Sequence, residues 1–305
     1  MEIYLPIAEL SANALILLVL GGGVGLLSGM FGVGGGFLMT PLLIFLGVTP
    51  SVAVGTGTNL IIASSVSGTM AHWRRGNVDF QIGALISCGG VGGAWLGAFL
   101  FKLLRDAGQV DLVVSLSYVV FLTVVGCLMG VESIRATVHR QRTARRKAHH
   151  HTWIHGLPLK FRFRRSRLYV SAIPPFALGF LMGILASIMG VGGGFFMVPA
   201  MIYLIGMPTA VVVGTSLLSI IVISSVSCFA HAVNNNNVDI ILGLLLAVGA
   251  VIGAQYGTRI GGRIRAEHLR GLLALMVLAV GGRLAFSLVV MPDDPFAVAP
   301  LWGTP

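Results

Sequence analysis

Charged residues are scarce in this chain, and the scarcity limits the classes of protein to which it can belong. Only 10% of the 305 residues are Asp, Glu, Lys or Arg, against about 25% in ordinary soluble domains. Apolar residues make up 56%, and stretches such as 12–24 and 110–131 approach the ~20 residues that span a bilayer. This composition predicts an integral membrane protein. Met1–Tyr4 lacks the basic residues of a signal peptide, so we expect the first apolar stretch to stay as a span.

The residue sets that most enzymes need are also lacking. The three cysteines lie in apolar stretches without CxxC spacing, which indicates neither a disulfide framework nor a metal site. We find no clear Ser-His-acid, His-Glu-x-x-His or paired-aspartate set that could carry catalysis. No Asp or Glu occupies the middle of a predicted span, which disfavours sodium coupling and carboxylate relays. We therefore predict a protein that is not an enzyme and that uses no cofactor and no metal.

An internal duplication is what the chain does have. The string GVGGGF occurs at 32–37 and again at 190–195. Each copy is followed, in the same order and at nearly the same spacing, by two prolines, a Gly-Thr pair, a Ser-Ser-Val-Ser segment, an Ala-His pair and an Asn-Val-Asp segment. Shared composition does not produce such an order. Two copies of one structural unit should therefore build one functional unit.

Each copy predicts five membrane-inserted helices. We expect them near 9–30, 37–48, 51–73, 80–103 and 110–131, and near 172–189, 195–206, 209–232, 239–261 and 269–291. The second helix of each set has about twelve residues and covers ~18 Å, less than the ~30 Å hydrocarbon core, which indicates a half-helix joined through the glycine run. The predicted fold class is an all-α polytopic membrane protein with two inverted repeats and short broken half-helices at Gly-rich loops. The domains are a first repeat (1–131), a basic loop (132–169) and a second repeat (170–305).

The net charge of +10 lies entirely in the basic loop, which contains eleven Lys or Arg and one acid. Few aromatics accompany these charges, so we expect a cytoplasmic, headgroup-facing segment and no nucleic-acid binding. With this loop inside, an odd number of crossings in each half also puts Arg74, Arg75 and Arg259 inside. That count inverts the second repeat relative to the first.

Glycine runs beside half-helices indicate where a site should lie. Irregular backbone at membrane depth survives only where protein or trapped water satisfies it, and the N-terminus of a half-helix favours anions. The alternative role of these glycines is a tight turn with close packing. The predicted anion-binding residues of the two runs are Gly34, Gly35, Gly36, Gly192, Gly193 and Gly194. GVGGGF fits neither nucleotide-binding glycine motif, so nucleotide binding is not expected.

The third helix of each half adds polar residues to an apolar span. Hydroxyls and amides there either bond neighbouring helices and their own backbone or line a wet path. The predicted substrate-binding residues of these helices are Thr56, Thr58, Asn59, Thr215, Ser216 and Ser219. His72 and His231 close the same helices and are candidates for proton coupling, with interfacial anchoring as the alternative. Arg283 is a candidate partner of an anionic substrate, with snorkelling as the alternative.

The paired G-x-G-G-G-F elements, each followed by Pro, Gly-Thr and Asn-Val-Asp, resemble the sulfite exporter TauE/SafE family of membrane permeases over about residues 10–131 and 170–290. The resemblance implies export of sulfite or organosulfonates such as sulfoacetate across the bacterial cytoplasmic membrane. A passive anion channel and a permease for other small organic acids are the alternatives. The expected partners are the lipid bilayer and a small anion, with protons as a candidate coupling ion and a homodimer as a candidate assembly. The basic loop, with His149–His151, is longer than in compact members, so a regulatory or partner-binding role there stays open.

Overall fold

The structure is a computed structural model, and it describes residues 2–138, 160–163, 165–166, 168–261 and 266–289. The first half consists of a hairpin, β1 (Glu2–Leu5) and β2 (Leu10–Asn13), followed by α1 (Ala14–Phe31), α2 (Gly36–Phe45), α3 (Pro50–Arg74), α4 (Phe80–Asp106) and α5 (Val110–Val138). The second half consists of β3 (Lys160–Phe163), β4 (Leu168–Ser171), α6 (Ile173–Met189), α7 (Gly194–Ala200) with a π-helical end (Met201–Ile205), α8 (Thr209–Asn234), α9 (Ile240–Gly261) and α10 (Ala266–Val289).

Five helices in each half confirm the predicted count, and α2 and α7 are the expected short ones. The two antiparallel hairpins were not predicted. They belong to the duplication, because 2–5 and 10–13 correspond to 160–163 and 168–171 at the same offset that relates Gly32 to Gly190. The predicted basic loop therefore contains the first strand of the second hairpin, and the boundary at 169 divides the other strand. Helix α5 also extends to Val138, so the predicted loop boundary at 132 falls inside a helix. Residues 139–159 of that loop, including His149–His151, lie outside the described residues.

The two halves are inverted relative to each other. A Cβ at Gly68 of α3 would meet Leu217 of α8, whereas Gly214 near the start of α8 lies against His72 near the end of α3. The residue numbers in contact thus fall along one helix as they rise along the other, so α3 and α8 are antiparallel. Helices related by the duplication can be antiparallel only if one repeat is turned over. The prediction of inverted repeats is confirmed in the described residues.

Glycine ladders join each half to the other. A Cβ at Gly93 of α4 would lie 2.0 Å from the Phe180 carbonyl oxygen of α6, and one at Gly253 of α9 would lie 2.0 Å from the Gly22 carbonyl oxygen of α1. No side chain larger than hydrogen fits at these contacts, so the backbones pack directly on one another. The helix pairs α4–α6 and α1–α9 therefore tie the repeats together through equivalent surfaces.

Each hairpin docks on an aspartate of the opposite half. The Asp239 carboxylate accepts bonds from the backbone N–H of Ile7 and Ala8, at 3.0 and 3.3 Å. Its equivalent, Asp79, accepts bonds from the backbone N–H and the hydroxyl of Ser166, at 3.1 and 2.6 Å. Both aspartates also cap the following helix. The hairpins thus lie at opposite ends of the helix bundle.

Within the part of the chain that the structure describes, five helices are long and apolar enough to cross a membrane: α1, α4, and the greater parts of α5, α8 and α9. Large apolar side chains such as Trp95, Phe99 and Phe286 are exposed on the bundle surface, which suits contact with lipid rather than water. The protein is a multi-pass membrane protein.

Candidate functional site

Both GVGGGF segments form sharp reversals between helices. Gly32, Gly34 and Gly35 have φ values of 71°, 81° and 77°, and the second segment repeats this pattern closely at Gly190, Gly192 and Gly193. Only glycine adopts this left-handed region without strain. The reversal lets α2 turn back along α1, since a Cβ at Gly35 would lie 2.9 Å from the Val24 side chain. Helix α2 begins at Gly36, and its N-cap residue Gly35 supplies no side-chain cap.

The two reversals, called the glycine turns from here on (32–36 and 190–194), meet each other inside the bundle. A Cβ at Gly36 would lie 2.7 Å from the Gly190 carbonyl oxygen, and one at Gly194 would lie 2.3 Å from the Val33 carbonyl oxygen. The rings of Phe37 and Phe195, the residues after the turns, stack with centroids 4.7 Å apart. Six predicted glycines, Gly34 to Gly36 and Gly192 to Gly194, are therefore brought together.

Two isoleucines fill the space between the glycine turns. Ile61 of α3 lies against Gly34, Gly36 and Gly192, and its equivalent Ile220 of α8 lies against Gly34 and Gly194. Both isoleucines are fully buried. The turns are therefore packed against apolar side chains in this conformation, and α3 and α8 would have to shift to admit a solute between them.

A pair of buried serine hydroxyls lies beside the same turns. A Cβ at Gly34 would lie 3.4 Å from Oγ of Ser65, and a Cβ at Gly192 would lie 3.4 Å from Oγ of Ser224. Both side chains are 0% exposed, and neither hydroxyl has a hydrogen-bond partner among the described residues. Leaving such a group unbonded costs about 1–3 kcal/mol. The Ser-Ser pairs in the duplicated segments were the available signal, but the sequence does not show which serines point at the turns.

Other side chains donate hydrogen bonds to backbone carbonyl groups in or beside the turns, and the donating side chains differ between the two turns. Ser64 donates to the Gly34 carbonyl at 3.1 Å, and Ser216 donates to the Gly32 carbonyl at 3.2 Å. Immediately before the second turn, Tyr118 donates to the carbonyl of Met189, the last residue of α6, at 2.6 Å. Ser216, a predicted substrate ligand, thus supports the first turn from α8, and the buried Tyr118 is a support that the sequence pattern did not reveal.

The threonines of the Gly-Thr pairs lie away from the turns. Thr56 accepts a bond from the Asp239 backbone N–H, and its equivalent Thr215 accepts one from the Asp79 backbone N–H, both at 2.9 Å. These threonines therefore fasten the loop of one half to the third helix of the other. The structure does not place these two predicted ligands with the glycine turns.

The remaining polar residues of α3 and α8 bond to helices. Thr58 donates to the Gly55 carbonyl at 2.5 Å, and Ser219 donates to the carbonyls of Gly83 and Thr215 at 3.2 Å. The side-chain oxygen of Asn59 accepts a bond from Cys228 of α8 at 3.2 Å. The alternative of bonding to helices accounts for all three predicted ligands in this conformation.

The two equivalent histidines differ in their surroundings. His231 is fully buried, with Nε2 2.7 Å from the Ser187 carbonyl and Nδ1 3.1 Å from the Asn235 amide. His72 is partly buried, and its Nδ1 has no partner among the described residues. Of the two coupling candidates, His72 is therefore the one with a free ring nitrogen.

Arg283 of α10 lies on the bundle surface. Its side chain is exposed, and the guanidinium carbon lies 4.9 Å above the centroid of the Phe45 ring at the end of α2. This cation–π contact is a local partner for the charge. The structure does not bring Arg283 to the glycine turns.

Two clefts open toward opposite ends of the bundle. One, of about 440 Å³, is lined by the first hairpin, the start of α3 and the loop between α8 and α9. The other, of about 540 Å³, lies between the end of α3 and the second half of α9. Neither cleft is lined by a glycine-turn residue. Among the described residues, no group of three or more His, Cys, Asp or Glu could hold a metal ion.

Inverted repeats, with two broken helices meeting between them and a cleft toward each end, define the class of membrane transporters. A model of the sulfite exporter TauE/SafE family matches residues 17–284, and the chain belongs to that family. No solved structure matches the chain.

Named relatives agree with this class. The chain is 28% identical to "Probable membrane transporter protein YunE" of Bacillus subtilis over 283 residues, which cover 89% of this chain and 97% of the relative. It is 30% identical to a "Probable membrane transporter protein" of Xylella fastidiosa strain 9a5c over 264 residues, which cover 85% of this chain and 90% of the relative. "Sulfite exporter TauE/SafE family protein 1" of Arabidopsis thaliana is 26% identical over 128 residues, which cover 42% of this chain and 27% of the relative.

Proposed function

We propose that this protein exports small sulfur-containing anions, namely sulfite or organosulfonates such as sulfoacetate, across the bacterial cytoplasmic membrane. The observation that carries the proposal is the pair of unpartnered hydroxyls, Ser65 and Ser224, beside two meeting glycine turns. An oxyanion offers several acceptor oxygens, which suit two hydroxyl donors and the N–H groups at the start of α2. The family name supports a sulfur oxyanion as the substrate.

The isoleucine pair favours a carrier over an open channel. Ile61 and Ile220 fill the space between the turns, and a passive channel needs a continuous polar path. We infer that the described conformation is a closed state. Movement of α3 and α8 relative to the glycine turns would withdraw the isoleucines and bring the serine hydroxyls onto the anion. The cleft at each end then serves as the entrance from one side of the membrane.

The orientation in the membrane follows from the arginines. Arg74, Arg75 and Arg259 line one cleft, and the second hairpin, which ends the basic segment, docks at the same end of the bundle. The positive-inside rule puts this end in the cytoplasm. We therefore propose that the 132–169 segment is cytoplasmic and that the first hairpin lies on the outer side.

Flux through proteoliposomes tests the function. Purified protein is reconstituted, and efflux of labelled sulfite, sulfoacetate and acetate is measured with and without a pH gradient, with protein-free liposomes as the control. The proposal predicts saturable flux of the sulfur anions and counterflow, in which external unlabelled anion drives labelled anion out. Dependence on the pH gradient would support proton coupling, for which His72 is the candidate. Flux without saturation or counterflow would establish a channel, and transport of acetate alone would establish a carboxylate permease.

A further inference from the structure

The cleft between α3 and α9 has the composition of an anion-binding site. Arg74 ends α3, Arg75 follows it, and Arg259 lies near the end of α9. All three arginines are exposed. The described lining contains no acidic residue, so the arginines give the cleft a formal charge of +3. Hydroxyl and amide groups on the same walls come from Ser67, Gln255 and Thr258. Guanidinium groups bind the oxygens of small oxyanions through paired, charge-assisted hydrogen bonds.

The cleft also reaches the level of the glycine turns. Its lining on α3 runs from Arg74 to Ala63, a stretch of helix that covers roughly 16 Å at about 1.5 Å per residue. Ala63 lies between Ile61 and Ser65, which both contact the first turn. An anion that enters among the arginines can therefore reach the part of α3 whose other face carries Ser65 toward the first glycine turn.

The cleft at the other end has the opposite electrostatic character. Glu9, Asp111 and Arg105 line it, for a formal charge of −1. The Arg105 guanidinium already donates to the Asn235 carbonyl, so part of its hydrogen-bonding capacity is used. Charges on the walls of a cleft raise or lower the local concentration of a charged solute. One mouth of the protein should thus concentrate anions, and the other should repel them.

We propose that Arg74, Arg75 and Arg259 form an oxyanion-capture site, which loads the transported anion from the proposed cytoplasmic end. The inference rests on the proposed function and adds a direction to it, because the apparent affinity for the anion should be higher at this end than at the other. The charge asymmetry sets the affinity at each mouth. It does not supply a driving force.

A phospholipid headgroup offers the same oxyanion chemistry, so the test must separate the two sources. Oriented proteoliposomes are made once from phosphatidylcholine alone and once from phosphatidylcholine mixed with anionic phosphatidylglycerol. Sulfite flux is measured from each side at low and high salt for the wild-type protein, Arg259→Gln, the triple Arg74→Gln/Arg75→Gln/Arg259→Gln variant and Lys102→Gln. Lys102 is exposed on α4, outside both clefts, so it controls for the loss of one positive charge. Thermal unfolding checks that each variant folds.

The expected result is a KM at the arginine end that rises about threefold in Arg259→Gln and about tenfold or more in the triple variant. In neutral lipid, the KM at the opposite end and the Lys102→Gln values stay unchanged. High salt should remove much of the difference between wild-type and variants, because exposed charges are screened. A KM at the arginine end that is unchanged in a transporting triple variant overturns the inference and leaves the proposed function intact. An effect seen only with phosphatidylglycerol assigns the arginines to lipid and overturns it too. A wild-type protein that moves no sulfur anion contradicts the proposed function itself.

Discussion

Replacing the two unpartnered serines by alanine should change stability and transport in opposite directions. Ser65 and Ser224 are buried without a hydrogen-bond partner among the described residues, so each hydroxyl bears a desolvation cost of about 1–3 kcal/mol that its own folded structure does not offset. Ser65→Ala and Ser224→Ala remove that cost. Each single variant should therefore gain about 1–3 kcal/mol in free energy of unfolding, and the double variant about 2–6 kcal/mol, with a higher unfolding temperature than the wild-type protein.

A neighbouring serine gives the matched control. The Ser64 hydroxyl donates to the carbonyls of Gly34 and Ile61, both at 3.1 Å. Ser64→Ala leaves these carbonyls without that donor, so it should lower the free energy of unfolding by about 1 kcal/mol. The same Ser→Ala substitution at two adjacent positions of α3 should thus change the free energy of unfolding in opposite directions.

Transport should respond differently from stability. If the two hydroxyls bind the anion, the double variant loses two hydrogen bonds to a charged group, each worth about 1.5–3 kcal/mol. The KM for sulfite should rise at least tenfold in proteoliposomes, while thermal unfolding in detergent shows a more stable protein. A double variant that is stabilised and transports at the wild-type KM would refute the assignment of these serines to the anion site.

Three further changes test the surrounding structure. Gly194→Ala puts a Cβ 2.3 Å from a carbonyl oxygen of the facing turn, so we expect the free energy of unfolding to fall by about 1–3 kcal/mol and transport to be lost. Gly23→Ala, with nothing within 4 Å of its Cβ, should be neutral or slightly stabilising in the same assays. Equal effects of the two substitutions would contradict the contact between the turns. Asp239→Ala should lower the free energy of unfolding by about 2–4 kcal/mol, because it removes a helix cap and the carboxylate that anchors the first hairpin. Asp106 is exposed, so Asp106→Ala should lower it little. Equal midpoints of the two variants in urea unfolding would contradict the anchoring role of Asp239. Arg283→Gln should leave the KM for sulfite unchanged, because the side chain lies on the surface above an aromatic ring; a raised KM would return it to the site.

The sequence predicted the repeats and their inversion for physical reasons. GVGGGF gives both copies the same reversal, since left-handed backbone at three positions requires glycine. The distribution of arginines fixes the parity of crossings, and the antiparallel contacts of α3 with α8 agree with it. The hairpins were not predicted because short strands such as Glu2–Leu5 carry little periodicity, and their equivalence is visible only in the fold.

The sequence distinguishes the individual site residues less clearly. Polar residues in a span share one signal, whether they bond another helix or face a ligand. Thr56 proved to bond the Asp239 loop, and Asn59 proved to bond Cys228. Both contacts cross between the halves and join residues far apart in the sequence. No local pattern encodes such pairings, and the same limit hid the orientation of Ser65 and Ser224.

Protection of an introduced thiol tests the central claim most directly. Ser65→Cys and Ser224→Cys are made separately in a protein whose Cys88, Cys127 and Cys228 are replaced by alanine or serine, and each is treated in proteoliposomes with a small anionic methanethiosulfonate reagent. The account predicts that both thiols react during turnover and that sulfoacetate, which unlike sulfite does not itself react with the reagent, slows both reactions at concentrations near its KM, whereas chloride does not. Reaction at one position only, or at both positions without protection by the transported anion, would contradict a shared anion site between the glycine turns.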